Sequence, residues 1–274
     1  MGTYVSSVRS IGFYAIVSDN IDDIVRHAYM LFPQAYFHVI GVMHKLKSRH
    51  HYTSLYADIM HKLAKDSVLT ISTKLRSQGC DRIREVILEG RPIKVITTYI
   101  KHNAIDALIV VTSSKPSAVE TISPTIQQII SSVKIPILVY TPFFRFQGKE
   151  RVVTLALQSL SHIDGNLSIA FSLAKCLNAQ LEIITMRRVS KVQLEKFRRY
   201  LLRSNIVFGL NIIESSSMDE FVSKLLKICS DSLILITKRH ERGVSRLLGI
   251  LGFHRIEGYE KILMSLSPVP ILFI

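Results

Sequence analysis

The sequence predicts an α/β protein made of two successive doubly wound modules, each with a five-stranded parallel sheet. Short apolar segments of β-strand length alternate with amphipathic helical segments along the chain, and such alternation requires helical crossovers between parallel strands. The second half also repeats the order of the first. Its matching segments are "DALIVV" (106–111) with "DSLILI" (231–236), and "IPILVY" (135–140) with "VPILFI" (269–274).

The first half supplies strands and helices in strict alternation, beginning and ending with a strand. Strands are predicted where apolar runs are continuous, and helices where apolar residues recur with a period of 3.6. Gly79 ends the second helix as a C-cap residue does, and Pro92 stands near the first turn of the third. The predicted strands are 11–17, 35–43, 83–90, 106–111 and 135–140, and the predicted helices are 22–32, 54–78, 92–102 and 125–133.

The second half repeats this order after a separating segment, "TPFFRFQGKE" (141–150). Pro142 and Gly148 break regular structure there, and three phenylalanines predict that the segment packs on the protein. We predict domains at 1–142 and 151–274 with 143–150 as the linker. The predicted strands of the second half are 151–157, 179–186, 206–214, 231–236 and 269–274, and its predicted helices are 165–177, 190–203, 218–229 and 258–266.

The composition is that of a folded, intracellular chain. Of 274 residues, 48% are hydrophobic and 20% charged, which suits two buried cores and not a disordered protein. The apolar runs are far shorter than the roughly 20 residues of a membrane-spanning helix. The first of them is interpreted as a strand and not as a signal peptide. Cys80, Cys176 and Cys229 form no CxxC pair, which favours a reducing compartment, so we expect a cytoplasmic protein.

The net charge of +14 is spread evenly, because each half carries +7. Such a charge permits an anionic partner without locating one. The segment 186–204 is predicted to be a basic amphipathic helix with Val192, Phe197 and Leu201 facing inward. A solvated helix face and a contact surface for nucleic acid or a membrane surface are the alternatives for it.

Sequence motifs of catalysis are missing from the chain. It has no nucleophile elbow, no Walker A motif and no paired catalytic carboxylates, so we do not expect an enzyme. His44, His50, His51 and His61 lie in and near one loop, but the lysines and arginines between them repel a cation. We therefore expect no metal site.

These repeated segments resemble the universal stress protein family in its tandem form. The resemblance rests on the paired fourth strands, on the paired "[IV]-P-I-L" fifth strands, on "EGRP" (89–92) and on the module length, and it covers essentially the whole chain. It implies an adenine nucleotide alpha hydrolase-like fold whose two modules pair through their fifth strands. Such pairing also removes two exposed sheet edges. Coverage of each edge by a helix or loop is the alternative.

The resemblance also implies where a nucleotide site would lie. Many family members bind ATP with an acidic residue after strand one and a glycine-rich loop, G-x2-G-x9-G-[ST], after strand four. In the first module Asp19 stands at the acidic position and Gly90 lies in the "EGRP" segment. The loop 112–125 has no glycine. Thr112 takes the first glycine position, Ser113 follows it, and Ser123 or Pro124 falls near the last.

The second-module loop, 237–259, is nine residues longer and strongly basic. The cations suit phosphate, but side chains at glycine positions crowd the backbone cradle that phosphate binding uses. We therefore expect degenerate nucleotide sites in both modules. The candidate residues of the second are Thr237, Lys238, Arg239, Gly243 and Gly258, with Gly249 as the alternative to Gly258.

Three functions are consistent with these features. The first is a non-catalytic regulatory or stress-response binding module that requires no cofactor, with ATP or another adenine nucleotide as the candidate ligand. The second is an ATP-binding switch with slow ATPase activity. The third is an adaptor for an anionic surface, either nucleic acid or a membrane transporter. In addition to the pairing of the two modules within one chain, two copies of the chain could form a homodimer.

Overall fold

The structure is a computed structural model that describes residues 8–43, 51–112, 123–157, 164–185, 207–215, 217–237 and 258–274, together with Val192, Glu195 and Arg199. Side chains at 51–56, 164–167 and 258–259 are not described. The predicted site residues Ser113, Lys238, Arg239 and Gly243 lie outside the described residues, as do His44 and His50.

The first half forms the predicted elements with small shifts of their ends. The first strand ends at Tyr14, three residues earlier than predicted, and the second helix begins at His51, three residues earlier. The elements are β1 (Ser10–Tyr14), α1 (Ile21–Leu31), β2 (Tyr36–Met43), α2 (His51–Ser77), β3 (Ile83–Glu89), α3 (Pro92–His102), β4 (Ala107–Val111), α4 (Pro124–Ser132) and β5 (Ile137–Tyr140).

The second half repeats this order within the described residues. Val192, Glu195 and Arg199 have helical backbone, in line with the predicted helix 190–203. The other elements are β6 (Val152–Leu157), α5 (Asp164–Cys176), β7 (Gln180–Thr185), β8 (Phe208–Ile212), α6 (Met218–Ile228), a 3-10 turn (Cys229–Asp231), β9 (Ser232–Thr237), α7 (Gly258–Leu266) and β10 (Ile271–Phe273).

All ten strands join one sheet in the order β3-β2-β1-β4-β5-β10-β9-β6-β7-β8. Read from either edge, each half has the same order: third, second, first, fourth and fifth strand. Neighbouring strands are parallel except β5 and β10, which are antiparallel. The α/β doubly wound fold class is therefore confirmed, and the two five-stranded sheets form one continuous sheet. The domain limits stay a prediction.

The junction of the halves is the pairing of their fifth strands. Ile137 lies opposite Phe273, Leu138 opposite Leu272, and Val139 opposite Ile271. The alternative, in which a helix or loop covers each edge, is wrong for these strands. β3 and β8 form the edges of the ten-stranded sheet.

Helices cover both faces of the sheet and bury two hydrophobic cores. The first core lies under α1, α2 and α5, and the second under α3, α4, α6 and α7. Each core contains residues of both halves, such as Phe13 with Phe171 in the first. Two of the three linker phenylalanines, Phe144 and Phe146, also belong to the first core, whereas Phe143 is exposed. The prediction of a packed linker is thus confirmed for two of its aromatic side chains.

A membrane-spanning helix is absent from the described part of the chain, because each helix there is too short or too polar to cross a bilayer.

Candidate functional site

The carboxyl ends of β1 and β4 are the place where a ligand site is expected in the first half. These strands are neighbours, yet the helices that follow them lie on opposite faces of the sheet, α1 on the first core and α4 on the second. Such a switch point opens a crevice at the ends of the strands, and ligands of doubly wound sheets bind there. β6 and β9 form the corresponding switch point of the second half.

The loop after β1 places Asp19 in solvent and Asn20 in the interior. Asp19 is exposed and makes no hydrogen bond or ion pair with the described residues, whereas Asn20 is 4% exposed. Asn20 Nδ2 donates to the carbonyl oxygens of Thr141 at 3.0 Å and Phe144 at 2.9 Å. Ser18 Oγ in turn donates to Asn20 Oδ1 at 2.8 Å. Asn20 thus holds this loop against the linker and leaves the Asp19 carboxylate available to a ligand.

Sequence reasoning missed Asn20. It stands at the N-cap position of α1, where asparagine normally binds the first helical N–H groups, but its side chain makes no such bond. The amide is used for the linker instead. Only its position two residues before the predicted amphipathic helix indicated a structural role.

Thr112 is buried directly after β4, and its polar groups bind the neighbouring strand. Its backbone N–H donates to the Tyr140 carbonyl oxygen at 2.8 Å, and its hydroxyl lies 3.2 Å from the same oxygen. The hydroxyl is also 3.5 Å from the Met264 carbonyl oxygen of α7 in the other half. The first glycine position of the predicted loop is therefore occupied by a side chain that contacts the junction of the halves.

Thr237 occupies the matching place as the last residue of β9, and it is 6% exposed. Its carbonyl oxygen accepts a hydrogen bond of 3.1 Å from the N–H of Ile274, just after β10. Threonine at the end of the fourth strand is thus buried against the fifth strand in both halves. A Cβ at this position excludes the close backbone approach that glycine allows.

The remaining described candidates of the two loops lie at helix N-termini. Ser123 precedes α4, and its side chain makes no capping hydrogen bond. Gly258 is the first residue of α7. A helix N-terminus favours an anion through its free N–H groups and dipole, so both positions are compatible with phosphate.

Gly90 lies apart from these residues, in a cleft between β3 and α3. Its φ of +142° and the 2.7 Å between an added Cβ and Val95 Cγ1 require glycine, and its N–H donates to the Met43 carbonyl oxygen at 2.8 Å. The cleft has a volume of about 690 Å³. Of the predicted site residues that the structure describes, only Gly90 lines it. The lining also includes Leu88, Arg91, Lys94, Tyr99 and His102.

A histidine–tyrosine pair lies beside this cleft. His38 Nδ1 is 2.8 Å from the hydroxyl of Tyr99, and the two rings pack edge to face. Burial lowers the pKa of His38, and the charge of Arg84 lowers it further. Burial raises the pKa of Tyr99. The pair is therefore neutral at neutral pH and offers hydrogen-bonding groups without charge.

Two sequence predictions fall elsewhere on the surface. Val192, predicted to face inward from the basic helix, is 64% exposed, so that prediction is wrong. His61 is exposed. Within the described residues, no three His, Cys, Asp or Glu side chains come together in a way that could hold a metal ion.

Comparison with known proteins gives a clear match in structure only. No protein-family model matches the chain, and no curated protein matches it in sequence. Among solved structures, a universal stress protein from Archaeoglobus fulgidus is similar, with a TM-score of 0.72 and 13% identity over 97% of this chain and 98% of that one. A putative universal stress protein from Pseudomonas aeruginosa gives a TM-score of 0.64 and 12% identity over 98% of this chain and 94% of that one. A functionally unknown protein from the same organism gives 0.65 and 13%, over 100% and 94% of the chains.

These similarities extend from one end of the chain to the other, across both halves. The fold is therefore that of universal stress proteins, and the fold implied by the sequence resemblance is confirmed.

Proposed function

We propose that the chain is a tandem universal stress protein that acts as a non-catalytic regulatory binding module with degenerate nucleotide sites. The observation that carries the proposal is the burial of Thr112 and Thr237 at the ends of the two fourth strands, 2% and 6% exposed. At this position a phosphate loop needs glycine for close backbone approach. Here both residues pack against the junction of the halves. An adenine nucleotide is the ligand that we propose, bound weakly and not hydrolysed.

The first experiment is native mass spectrometry of full-length protein purified without added nucleotide. We expect a mass that corresponds to the chain alone, and only a small rise in Tm when ATP, ADP or AMP is added at millimolar concentration. Binding to the folded state alone raises stability by RT ln(1 + [L]/Kd), so a ligand whose Kd is near its concentration changes Tm little. Tightly bound, co-purified ATP would contradict the proposal of degenerate sites.

An ATP-binding switch with slow ATPase activity is the second candidate. It is favoured by Asp19, whose exposed carboxylate is unpaired among the described residues at the switch point. Under this candidate Asp19→Ala abolishes the Tm rise with ATP and any phosphate release. The matched control is Asp81→Ala. Asp81 is also an exposed carboxylate, but it precedes β3 and so lies at the opposite end of the strands. This variant should change neither the Tm rise with ATP nor the phosphate release. Equal responses of the two variants would remove Asp19 from the nucleotide site.

A further inference from the structure

A second cavity lies between the linker and the first residues of the second half. Its volume is about 340 Å³, at the lower end of the 300–1,000 Å³ typical of small-molecule sites. We call it the linker cavity. Its polar lining includes His27, Glu150 and Ser232, and its apolar lining includes Phe146, Leu233 and Val269. It thus lies between a helix of the first half and strands of the second.

The walls of the linker cavity are fixed by contacts from α1. Arg26 Nη2 donates to the Phe146 carbonyl oxygen at 2.6 Å, and the Arg26 guanidinium lies 5.0 Å from the centroid of the Phe146 ring. On the other side, the ladder between β6 and β9 is irregular between Val152 and Val153, so that Leu233 has no partner in the register. Such irregularities re-aim backbone and side chains and are common beside binding sites.

His27 lines this cavity with an unsatisfied ring nitrogen. The side chain is fully buried, its Nδ1 lies 2.8 Å from the Tyr140 hydroxyl, and its Nε2 has no hydrogen-bond partner among the described residues. Tyr140 is also fully buried, and burial raises its pKa well above the usual value. The phenol therefore keeps its proton and needs an acceptor, which Nδ1 supplies. The imidazole proton then lies on Nε2. The Leu233 backbone is near enough to raise the pKa of His27, but it makes no hydrogen bond of normal geometry with Nε2, so this buried N–H stays available at a residue that lines the cavity.

Glu150 supplies the complementary unsatisfied atom. Its Oε1 accepts a hydrogen bond of 2.9 Å from the N–H of Gln147, whereas its Oε2 is buried without a partner among the described residues. A buried polar atom without a partner costs about 1–3 kcal/mol, and more when it is charged. One cavity thus holds an unused donor and an unused carboxylate oxygen, and a ligand with the opposite groups would satisfy both.

The rim of the linker cavity is mostly cationic. Arg145, Lys149 and Arg151 line it and are exposed, with Asp231 as the exposed anion among them. The two arginines bind linker carbonyl oxygens, whereas Lys149 makes no ion pair within the described part of the chain. An anionic group of a ligand would therefore be favoured at the rim.

We propose that the linker cavity binds a small zwitterion, of which an apolar α-amino acid is the simplest example. Its ammonium group supplies the donor that Glu150 Oε2 lacks. Its carboxylate supplies the acceptor for His27 Nε2, and the exposed cations of the rim attract this anionic group toward the cavity. Its side chain is accommodated by Phe146, Leu233 and Val269. None of the predicted nucleotide-site residues that the structure describes lines this cavity, so the proposal does not depend on the proposed function.

The test begins with a thermal-shift screen of the full-length protein against the twenty standard amino acids. The hit is then titrated into protein with 15N-labelled histidine, and the His27 Nε2 resonance is followed by NMR. For leucine as the probe, 4-methylpentanoate is the matched control, because it lacks only the ammonium group. We expect a saturable shift of the His27 signal with the amino acid, and affinity at least about tenfold weaker for the control, the loss typical of a missing charge-assisted hydrogen bond.

Two variants make the assignment specific. Glu150→Gln should weaken binding about tenfold, whereas Glu85→Gln, which changes an exposed carboxylate on β3, should leave it unchanged. If Glu150→Gln does not fold, Lys149→Ala provides a second test and should weaken binding severalfold. Failure of all twenty amino acids to shift His27 would overturn the proposal. So would equal affinity for leucine and 4-methylpentanoate, or an ordered water that bridges His27 Nε2 and Glu150 Oε2 in a high-resolution structure of protein soaked with amino acid.

Discussion

The hydroxyl of Thr141 donates a hydrogen bond of 2.5 Å to the carbonyl oxygen of Ser267. Thr141 follows β5 in the first half and Ser267 follows α7 in the second, and both residues are fully buried. The Ser267 hydroxyl in turn donates to the Val269 carbonyl oxygen at 2.7 Å. The halves are thus joined by a buried side-chain hydrogen bond as well as by the β5–β10 ladder.

Removal of the Thr141 hydroxyl should destabilise the protein. Thr141→Val keeps the shape of the side chain but leaves the buried Ser267 carbonyl oxygen without this donor, so we expect a loss of about 1–3 kcal/mol in the free energy of unfolding. Urea unfolding followed by circular dichroism measures it. Thr70→Val is the control, because the Thr70 hydroxyl donates to the Asp66 carbonyl oxygen in a solvent-exposed hydrogen bond of α2, and it should cost under about 0.5 kcal/mol. Equal losses would mean that the bond between the halves contributes nothing of its own.

The β5–β10 ladder can be tested through Leu138 and Leu272, which lie opposite each other and are each 1% exposed. Each change to alanine should cost about 2–5 kcal/mol. Because the two residues are cross-strand neighbours, the double variant should differ from the sum of the single variants by about 0.5–3 kcal/mol. Leu225 lies in the other core, so the losses in the free energy of unfolding caused by Leu138→Ala and Leu225→Ala should be additive. Additivity for both pairs would speak against direct contact of the two strands in solution.

The order of the elements could be predicted because the apolar residues of strands and of helices follow two different patterns along the sequence. Continuous apolar runs such as 107–111 are buried on both faces of a parallel sheet, and the apolar residues of α1 recur at helical spacing. The repeat provides a second instance of the same order and so supports each assignment independently. The pairing of β5 with β10 has no such local signal, and its prediction rests on the family resemblance and on the cost of an exposed edge. The antiparallel direction of this pairing was not predicted.

The polar contacts that shape the candidate sites could not be predicted in the same way. His27 falls on the buried stripe of α1, three residues after Ile24, so its burial was readable from the spacing. Its partner Tyr140 is 113 residues away in the chain, and periodicity says nothing about such a pair. Asn20 likewise binds the linker 121 and 124 residues further on. Long-range hydrogen bonds depend on how elements pack, which is a property of the whole fold.

Gly90 should tolerate no side chain. Alanine there would hold a φ of +142° and bring its Cβ within 2.7 Å of Val95 Cγ1, so we expect a loss of about 1–3 kcal/mol in stability. Thermal and urea unfolding of Gly90→Ala measure it. Gly209→Ala on β8 is the control, because its Cβ would meet no atom closer than 3.9 Å, and its effect should stay within about 0.5 kcal/mol. A neutral Gly90→Ala would show that the β3–α3 turn can adopt another backbone conformation.

His27 should make stability depend on pH below neutrality. Burial lowers the pKa of its imidazole from 6.5 to about 3, with the Leu233 backbone opposing the shift. A histidine with a lowered pKa in the folded state binds a proton more readily when unfolded. Its contribution to stability is therefore complete above the unfolded pKa and is lost as the pH falls from about 6.5 toward about 3. Well between these limits the free energy of unfolding should fall by about 1.4 kcal/mol for each pH unit through this residue.

His27→Gln isolates that contribution, since glutamine keeps a hydrogen-bonding side chain but does not titrate. The measured quantity is the slope of the free energy of unfolding against pH between about 4 and 6, where other groups titrate equally in both proteins. We expect a shallower slope for His27→Gln than for the wild type, whatever the absolute stability of the variant. Thr70→Val, which changes no titratable group, should keep the wild-type slope. If His27→Gln also kept it, the imidazole would take up its proton in the folded protein, and the linker cavity would admit water or a counter-ion to the buried ring.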